Sequence, residues 1–188
     1  VLLISWLYPR LRHRPLVVEK FYYIKGFAWL MRLFEAIPIP DLKVKPSSWN
    51  LYRTQQQMKK ILSLCEEKQS LLIYPAGQVK LTGKEELGAS AIGYQLVQSK
   101  IPIQIVLVRT TGLWGSSFSR CRDEQMPDFH KTLLKGGLIC LMNAIFFVPK
   151  RKVLIEVTSI DAEDLRGLDK NAFNRYLENW YNQYPSFD

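Results

Sequence analysis

The stretch from Leu71 to Arg120 decides the fold: LLIYPAGQVK LTGKEELGAS AIGYQLVQSK IPIQIVLVRT TGLWGSSFSR. It holds two short apolar runs, Leu71–Tyr74 and Ile101–Val108, which are too short for buried helices. Such runs are typical of strands covered on both faces of a parallel sheet. Between them, Glu85–Ser99 has helix-compatible spacing and supplies the crossover that two parallel strands need. The sequence therefore predicts a strand–helix–strand unit, with ligand-binding loops at the carboxyl ends of both strands.

The rest of the chain alternates between strand and helix patterns, which is typical of an α/β fold. Extended segments are predicted at Leu16–Val18, Ile37–Pro40 and Val153–Thr158, and further helices at Trp49–Lys68, at Leu133–Val148 and from Asp169 onward. The chain has 188 residues, 47% of them hydrophobic, which suits one domain with a sizeable core. We therefore expect residues 1–188 to form a single α/β domain with a mostly parallel central sheet flanked by helices.

The charge favours an anionic partner. The chain has 26 Lys and Arg residues against 17 Asp and Glu residues, a formal net charge of +9. A membrane surface, a phosphate-bearing substrate or nucleic acid could match this charge, but no nucleic-acid reader motif is present and nucleic acid is not expected. The three cysteines lack any Cys-x-x-Cys spacing, which favours a reduced, cytosolic protein without a disulfide framework or a zinc site.

Three segments leave a choice between an ordinary role and contact with lipid. Pro9–Arg14 holds three arginines around His13 and is either a solvated cluster or a contact for lipid phosphates. Phe21–Ala36 is aromatic-rich but interrupted by cations, which fits an interfacial helix or a core helix and not a transmembrane one. Leu133–Val148 is the most hydrophobic run, is too short for a span, and precedes the basic segment Pro149–Lys152. It is predicted to be a buried or a membrane-dipping helix.

Candidate catalytic groups are few. The two histidines are His13, in the arginine-rich loop, and His130, at the end of the polar loop Cys121–His130. Neither has neighbours that would supply a paired base, a nucleophile or metal ligands, and no Walker-type loop or dinucleotide fingerprint occurs. The segment Tyr74–Lys80 is a turn with free backbone N–H groups and a nearby lysine, which suits a phosphate, although a Pro-x-Gly turn alone is weakly specific.

The order of the motifs resembles that of one known family. Tyr74–Val79 stands where that family carries Phe-Pro-Glu-Gly-Thr-Arg, and Ile103–Val108 matches its last apolar block. Phe27–Leu30, leading to Glu35–Ile39, resembles its segment that ends in Gly-x-Ile-Phe-Ile-x-Arg. On these motifs the chain resembles the glycerophospholipid (lysophosphatidate-type) acyltransferase family. Gly112–Arg120 makes it most similar to the acyltransferase domain of bacterial 2-acylglycerophosphoethanolamine acyltransferase/acyl-carrier-protein synthetase.

The resemblance implies an acyltransferase of phospholipid biosynthesis or remodelling. Such an enzyme transfers a fatty acyl group from acyl carrier protein or coenzyme A to a lysophospholipid or glycerol-phosphate-type acceptor. It implies a peripheral or monotopic location at the cytoplasmic face of the membrane, no bound cofactor or metal, and possible fusion to an AMP-forming acyl synthetase. The substrate-binding residues it implies are Tyr74, Pro75, Ala76, Gly77, Gln78, Lys80, Arg109 and Arg120.

The chain also departs from the family pattern. The family uses a His-x-x-x-x-Asp motif, whereas the fifth residue after His13 is Val18 and the fifth after His130 is Lys135. The family's motif lies directly upstream of a segment like Val1–Ile4, so we expect the catalytic pair before Val1. The alternative is a catalytically inactive relative that docks a fused acyl-activating enzyme on membrane lipid.

The phosphate-binding positions differ as well. Asp41 lies where the family's second block has Arg, Ala76 replaces Glu, and Gln78-Val79 replace Thr-Arg. Lys80 could supply the missing charge, but an ammonium group binds phosphate without the bidentate fork of a guanidinium. These changes weaken the expectation of a glycerol-phosphate-type acceptor and leave the acyl-transfer scaffold.

Overall fold

A computed structural model describes residues 8, 12–24, 28–40, 47–77, 84–87, 91–112, 129–143 and 152–183. The chain forms two compact units. Unit 1 comprises residues 1–77 and 90–103, and unit 2 comprises residues 78–89 and 104–188.

Unit 1 contains a parallel three-stranded sheet in the order β2-β1-β3. Its strands are β1 (His13–Val18), β2 (Ile37–Ile39) and β3 (Ser70–Leu72). Leu16 of β1 pairs with Ile37 of β2, and His13 of β1 pairs with Ser70 of β3. The predicted α/β class, with a parallel sheet flanked by helices, is confirmed.

The helices of unit 1 are α1 (Glu19–Tyr22), α2 (Ala28–Leu33), α3 (Ser48–Glu66) and α4 (Ile92–Gln98). The long helix α3 begins at Ser48, one residue before the predicted Trp49, because the Ser47 hydroxyl caps it by accepting a hydrogen bond from the Asn50 backbone N–H at 3.1 Å. Apolar residues of α3 and α4 pack against the sheet in one core. Its buried members are Leu16, Ile37, Ile61, Leu64 and Leu96.

The aromatic segment Phe21–Ala36 is not a single helix among its described residues. α1 is four residues long and α2 is six, and neither helix has a buried residue. Tyr23 and Trp29 are each 64% exposed. The core-helix alternative is therefore wrong, and the exposed aromatic side chains are those that an interfacial segment requires.

Unit 2 contains an antiparallel pair of strands, β4 (Gln104–Thr111) and β5 (Leu154–Asp161). The prediction that the Leu71–Tyr74 and Ile101–Val108 runs are parallel strands of one sheet is wrong for the described residues, since β3 pairs with β1 and β4 pairs antiparallel with β5. A short apolar run indicates a strand but does not encode its partner, and neither strand is covered throughout on both faces, since β3 has no buried residue and Val106 of β4 is 40% exposed. The antiparallel pairing extends over eight positions, from Gln104 opposite Asp161 to Thr111 opposite Leu154.

The predicted crossover helix Glu85–Ser99 is shorter than expected. Its helical part is α4, and Glu85–Leu87 is not helical. The backbone N–H of Glu85 donates to the Asn182 side-chain oxygen at 2.8 Å, and that of Leu87 donates to the Glu178 carboxylate at 2.7 Å. These side-chain acceptors bind the backbone of Glu85–Leu87 within unit 2, where Leu87 is buried.

The remaining helices of unit 2 are α5 (Phe129–Met142), α6 (Glu163–Arg166) and α7 (Lys170–Tyr181). In α7 the Asp169 carboxylate caps the first turn through the Ala172 N–H at 2.8 Å, and Phe173 and Leu177 are buried as their spacing predicts. α5 begins before the predicted Leu133, so Phe129 and His130 are helical rather than part of a loop.

Candidate functional site

A tight turn follows β3 at Tyr74–Gly77. The Gly77 N–H donates to the Tyr74 carbonyl at 3.0 Å. Gly77 has φ +63°, and a Cβ placed on it would meet no atom within 4 Å. The glycine is therefore required by the left-handed backbone and not by crowding. The predicted turn is present, with its backbone bent back at the end of a parallel strand.

The turn lies at the carboxyl edge of the unit 1 sheet. Leu72 pairs with Pro15, and Ile39 of β2 pairs with Val18, the last residue of β1. Because all three strands run in one direction, β2 and β3 end at the same edge, where ligands bind in open parallel sheets. The Tyr74 side chain is 55% exposed there, and partial desolvation raises the pKa of its hydroxyl.

An ion pair lies directly after the carboxyl end of β1. Glu19 is the first residue of α1. Its carboxylate accepts hydrogen bonds from both terminal guanidinium nitrogens of Arg53 in α3, one of them at 3.2 Å. This bidentate pair neutralises Arg53 and links α1 to the second turn of α3. Arg53 is thus committed to a carboxylate rather than to a bound anion.

His13 is not in a loop, contrary to the sequence prediction. It is the first residue of β1, and its ring Nδ1 lies 2.8 Å from the Ser70 hydroxyl of β3. Burial lowers the pKa of His13, an effect that the Tyr8 backbone partly opposes. Five residues of strand separate His13 from Val18, which is roughly 16 Å. His13 therefore joins two strands at the edge opposite to the turn.

The arginines that flank His13 have an acidic neighbour. Arg14 forms an ion pair with Glu35 at 2.6 Å, and Arg12 lies 4.0 Å from the same carboxylate. Arg12 and Arg14 are two positions apart at the start of β1, so both side chains lie on the same side of the chain and reach the same carboxylate. The ion pair supplies Arg14 with a counter-charge inside unit 1.

Arg109 is buried on β4, with 3% of its side chain exposed. Its guanidinium binds the Glu156 carboxylate of β5 and the Trp180 carbonyl, and it lies 4.8 Å from the centre of the Trp180 ring. These contacts hold β4, β5 and α7 together. The assignment of Arg109 to an anionic substrate stays a prediction.

The other predicted site residues fall outside the described part of the chain. These are Gln78, Lys80 and Arg120, together with the departing positions Asp41 and Val79. Of the predicted set, the structure brings together Tyr74, Pro75, Ala76 and Gly77 in one turn. Among the described residues, no three His, Cys, Asp or Glu side chains are arranged to hold a metal ion.

Helix α5 exposes large apolar side chains. Leu134 is 77% exposed and Leu141 is 80% exposed, and Leu138 and Met142 lie on the same side of the helix. Lys131 and Lys135 precede and interrupt this apolar side. The buried-helix alternative is therefore wrong for the described residues of α5. No helix in the described ranges combines the length and apolar character needed to cross a bilayer.

Comparisons with known proteins give limited similarity. No family model matches the chain, and no curated protein matches it. The chain is similar to the solved structure of the 1-acyl-sn-glycerophosphate (LPA) acyltransferase PlsC from Thermotoga maritima, with 12% identity and a TM-score of 0.47. The match covers 92% of this chain and 55% of that one, so the chain spans about half of its length. A TM-score below 0.5 assigns neither a family nor an activity to this chain.

Proposed function

We propose that the chain is an acyltransferase domain that transfers a fatty acyl group from acyl carrier protein or coenzyme A to a lysophospholipid-like acceptor at a membrane surface. One observation carries the proposal. The segments that resemble the family's second and third blocks, Glu35–Ile39 and Tyr74–Gly77, both lead to the carboxyl edge of one parallel sheet. This shared edge supports the proposal that the acceptor binds there.

The turn at this edge suits the headgroup side of the acceptor. The left-handed backbone at Gly77 bends the chain at this edge, and Lys80, which follows three residues later in the sequence, is the group that we propose to bind a phosphate. Because Ala76 stands where the family has Glu, the turn lacks a carboxylate that would bind a glycerol hydroxyl. We infer an acceptor whose headgroup differs from simple glycerol phosphate.

The proposed reaction is attack on a thioester. The acceptor hydroxyl oxygen forms an ester bond to the acyl carbon, the carbon–sulfur bond breaks, and the hydroxyl proton passes through a histidine base to the leaving thiolate. We propose that the base belongs to a His-x-x-x-x-Asp pair before Val1, as the resemblance to the family implies. The described His13 lies at the opposite sheet edge, with its ring Nδ1 2.8 Å from the Ser70 hydroxyl.

The membrane location is part of the proposal. The exposed leucines of α5 with Lys131 and Lys135 favour an apolar helix that rests on an anionic bilayer. We propose a peripheral association with the cytoplasmic face. Acyl carrier protein and a fused AMP-forming acyl synthetase are the proposed protein partners.

The test is acyl transfer by the full-length protein. Labelled acyl carrier protein and labelled coenzyme A thioesters would be supplied in turn with lysophospholipids of different headgroups, and ester product would be measured. We expect acceptor-dependent product that disappears when the upstream histidine is changed to alanine. Absence of product with every donor and acceptor, from protein with native circular dichroism, would reject the acyltransferase.

A non-catalytic lipid-docking domain is the second candidate. The replacement of the family's Glu by Ala76, in a chain that retains an exposed apolar α5, favours it. This function predicts binding to anionic vesicles without ester formation. Turnover that depends on the upstream histidine would eliminate it.

A further inference from the structure

The side of α3 that faces away from the sheet carries an unexplained stripe of exposed residues. Ile61 and Leu64 are buried against the sheet, and Met58, Leu62 and Cys65 pack beside them. On the opposite side, exposed residues recur at intervals of three and four. This outer stripe consists of Trp49, Tyr52, Gln56, Lys59, Lys60 and Ser63.

The outer stripe is aromatic at one end and basic at the other. Trp49 is 65% exposed and Tyr52 is 51% exposed, and their rings stack with centroids 5.8 Å apart. Lys59 and Lys60 follow about two to three turns later, roughly 15 Å along the helix. No acidic residue occurs in α3 before Glu66. A surface that matches this stripe must therefore accept aromatic rings and carry negative charge.

A second aromatic pair follows from α1, which an ion pair joins to α3. The Glu19–Arg53 ion pair holds α1 beside the second turn of α3, and α1 leads to Tyr23, which is 64% exposed. The Tyr22 and Tyr23 rings meet edge to face with centroids 5.0 Å apart. Exposed Trp and Tyr rings in one region are typical of the membrane–water interface, because each has an apolar body and a polar tip.

This aromatic end lies toward the substrate-binding edge. α3 ends at Glu66, only three residues before β3 begins, so the helix runs antiparallel to β3. Its buried residues are confined to its C-terminal half, and its first turns carry the exposed aromatic pair. Trp49 and Tyr52 consequently lie toward the edge where the Tyr74–Gly77 turn is found.

We propose that the outer stripe of α3 docks unit 1 on an anionic phospholipid bilayer. Trp49 and Tyr52 enter the headgroup region, and Lys59 and Lys60 contact lipid phosphates. The role assigned to this contact rests on the proposed function: it brings the acceptor-binding edge to the lipid, so that the acceptor reaches the turn without leaving the membrane.

The test is cosedimentation of the full-length protein with vesicles of phosphatidylcholine alone or with added phosphatidylglycerol, without acyl donor. Wild-type protein is expected to bind the anionic vesicles. Lys59→Gln with Lys60→Gln should lower partitioning roughly 25-fold at low salt, since each lysine near an anionic surface contributes about 1 kcal/mol. Trp49→Ala with Tyr52→Ala should lower binding to both vesicle types.

Matched controls change the same residue types elsewhere. Tyr176→Ala removes an exposed ring from α7, and Lys100→Gln removes an exposed cation, and both proteins should bind as wild type does. Circular dichroism and the thermal midpoint check that every variant is folded.

Several results would overturn the proposal: no vesicle binding by wild-type protein, equal binding by the α3 variants, or loss of binding in the controls. Self-association without vesicles that Trp49→Ala abolishes would assign the stripe to a protein contact instead. Vesicle binding without acyl transfer would reject the proposed function and leave this inference standing. Acyl transfer to a short-chain soluble acceptor, without vesicle binding that depends on α3, would support the proposed function and reject this inference.

Discussion

Replacing Gly77 tests whether the left-handed turn is a built feature of the candidate site. Alanine at φ +63° incurs the left-handed penalty, which is roughly 1–2 kcal/mol. No steric term adds to it, because the position of the new Cβ is open. Gly77→Ala should therefore lower the free energy of unfolding of unit 1 by about this amount, and Gly77→Asn should lower it less, since Asn tolerates the left-handed region.

Two other glycines provide the controls for this prediction. A Cβ at Gly167 also meets no atom within 4 Å, but Gly167 has φ −77°, so Gly167→Ala should be neutral or slightly stabilising. A Cβ at Gly112 would lie 2.3 Å from the Lys152 carbonyl oxygen at φ +87°, so Gly112→Ala should be the most damaging of the three. Urea denaturation followed by circular dichroism gives the order. Equal effects of Gly77→Ala and Gly167→Ala would refute the reasoning.

Three further predictions concern the titratable and charged groups. Glu156→Gln leaves the buried Arg109 without its carboxylate partner and should lower the free energy of unfolding by about 2 kcal/mol. Glu163→Gln changes a more exposed ion pair and should lower it little. Equal losses for the two variants in urea titrations would contradict this prediction. Because burial lowers the pKa of His13 from 6.5, the stability that it contributes is complete above about pH 6.5 and is lost as the pH falls toward its folded value. His13→Gln should flatten this dependence, and an unchanged pH profile would count against it. Burial is the main cause that raises the pKa of Tyr181 to about 12. The stability that this group contributes is therefore complete below about pH 10 and is lost as the pH rises through 12. Tyr181→Phe should remove that loss, which urea titrations at several pH values would measure.

Local patterns predicted the elements whose determinants are local. The periodic apolar residues and the Ser47 cap specify α3, and the Asp169 cap with Phe173 and Leu177 specifies α7. The prolines around Ile37–Ile39 made β2 extended. In each case the residues that decide the conformation lie within a few positions of one another.

Contacts between distant residues account for the incorrect predictions. The Asn182 and Glu178 side chains that hold Glu85–Leu87 out of a helix are more than 90 positions away. Ser70, which pairs with His13 in the sheet and whose hydroxyl lies 2.8 Å from the His13 ring, is 57 positions away. A sequence pattern shows neither contact, because both depend on how the strands and helices pack.

The candidate site was predictable in part. The Pro-Ala-Gly sequence indicated a turn, and the turn is present at a sheet edge with Gly77 left-handed. The Glu156 partner of Arg109 was not predictable, because strand register decides which residue lies opposite it. The spacing of Trp49, Tyr52, Lys59 and Lys60 places them on one side of α3, and this is visible in the sequence. That this side is exposed follows only from the structure, in which the opposite side packs on the sheet.

The acceptor KM of the full-length protein tests the central claim most directly. Acceptor-dependent thiol release would be measured for wild type, Lys80→Ala and the nearby exposed control Lys84→Ala. If Tyr74–Gly77 and the following Lys80 bind the acceptor headgroup, Lys80→Ala raises the acceptor KM and leaves the thioester KM unchanged, and Lys84→Ala changes neither. A Lys80→Ala protein with the wild-type acceptor KM would contradict the account.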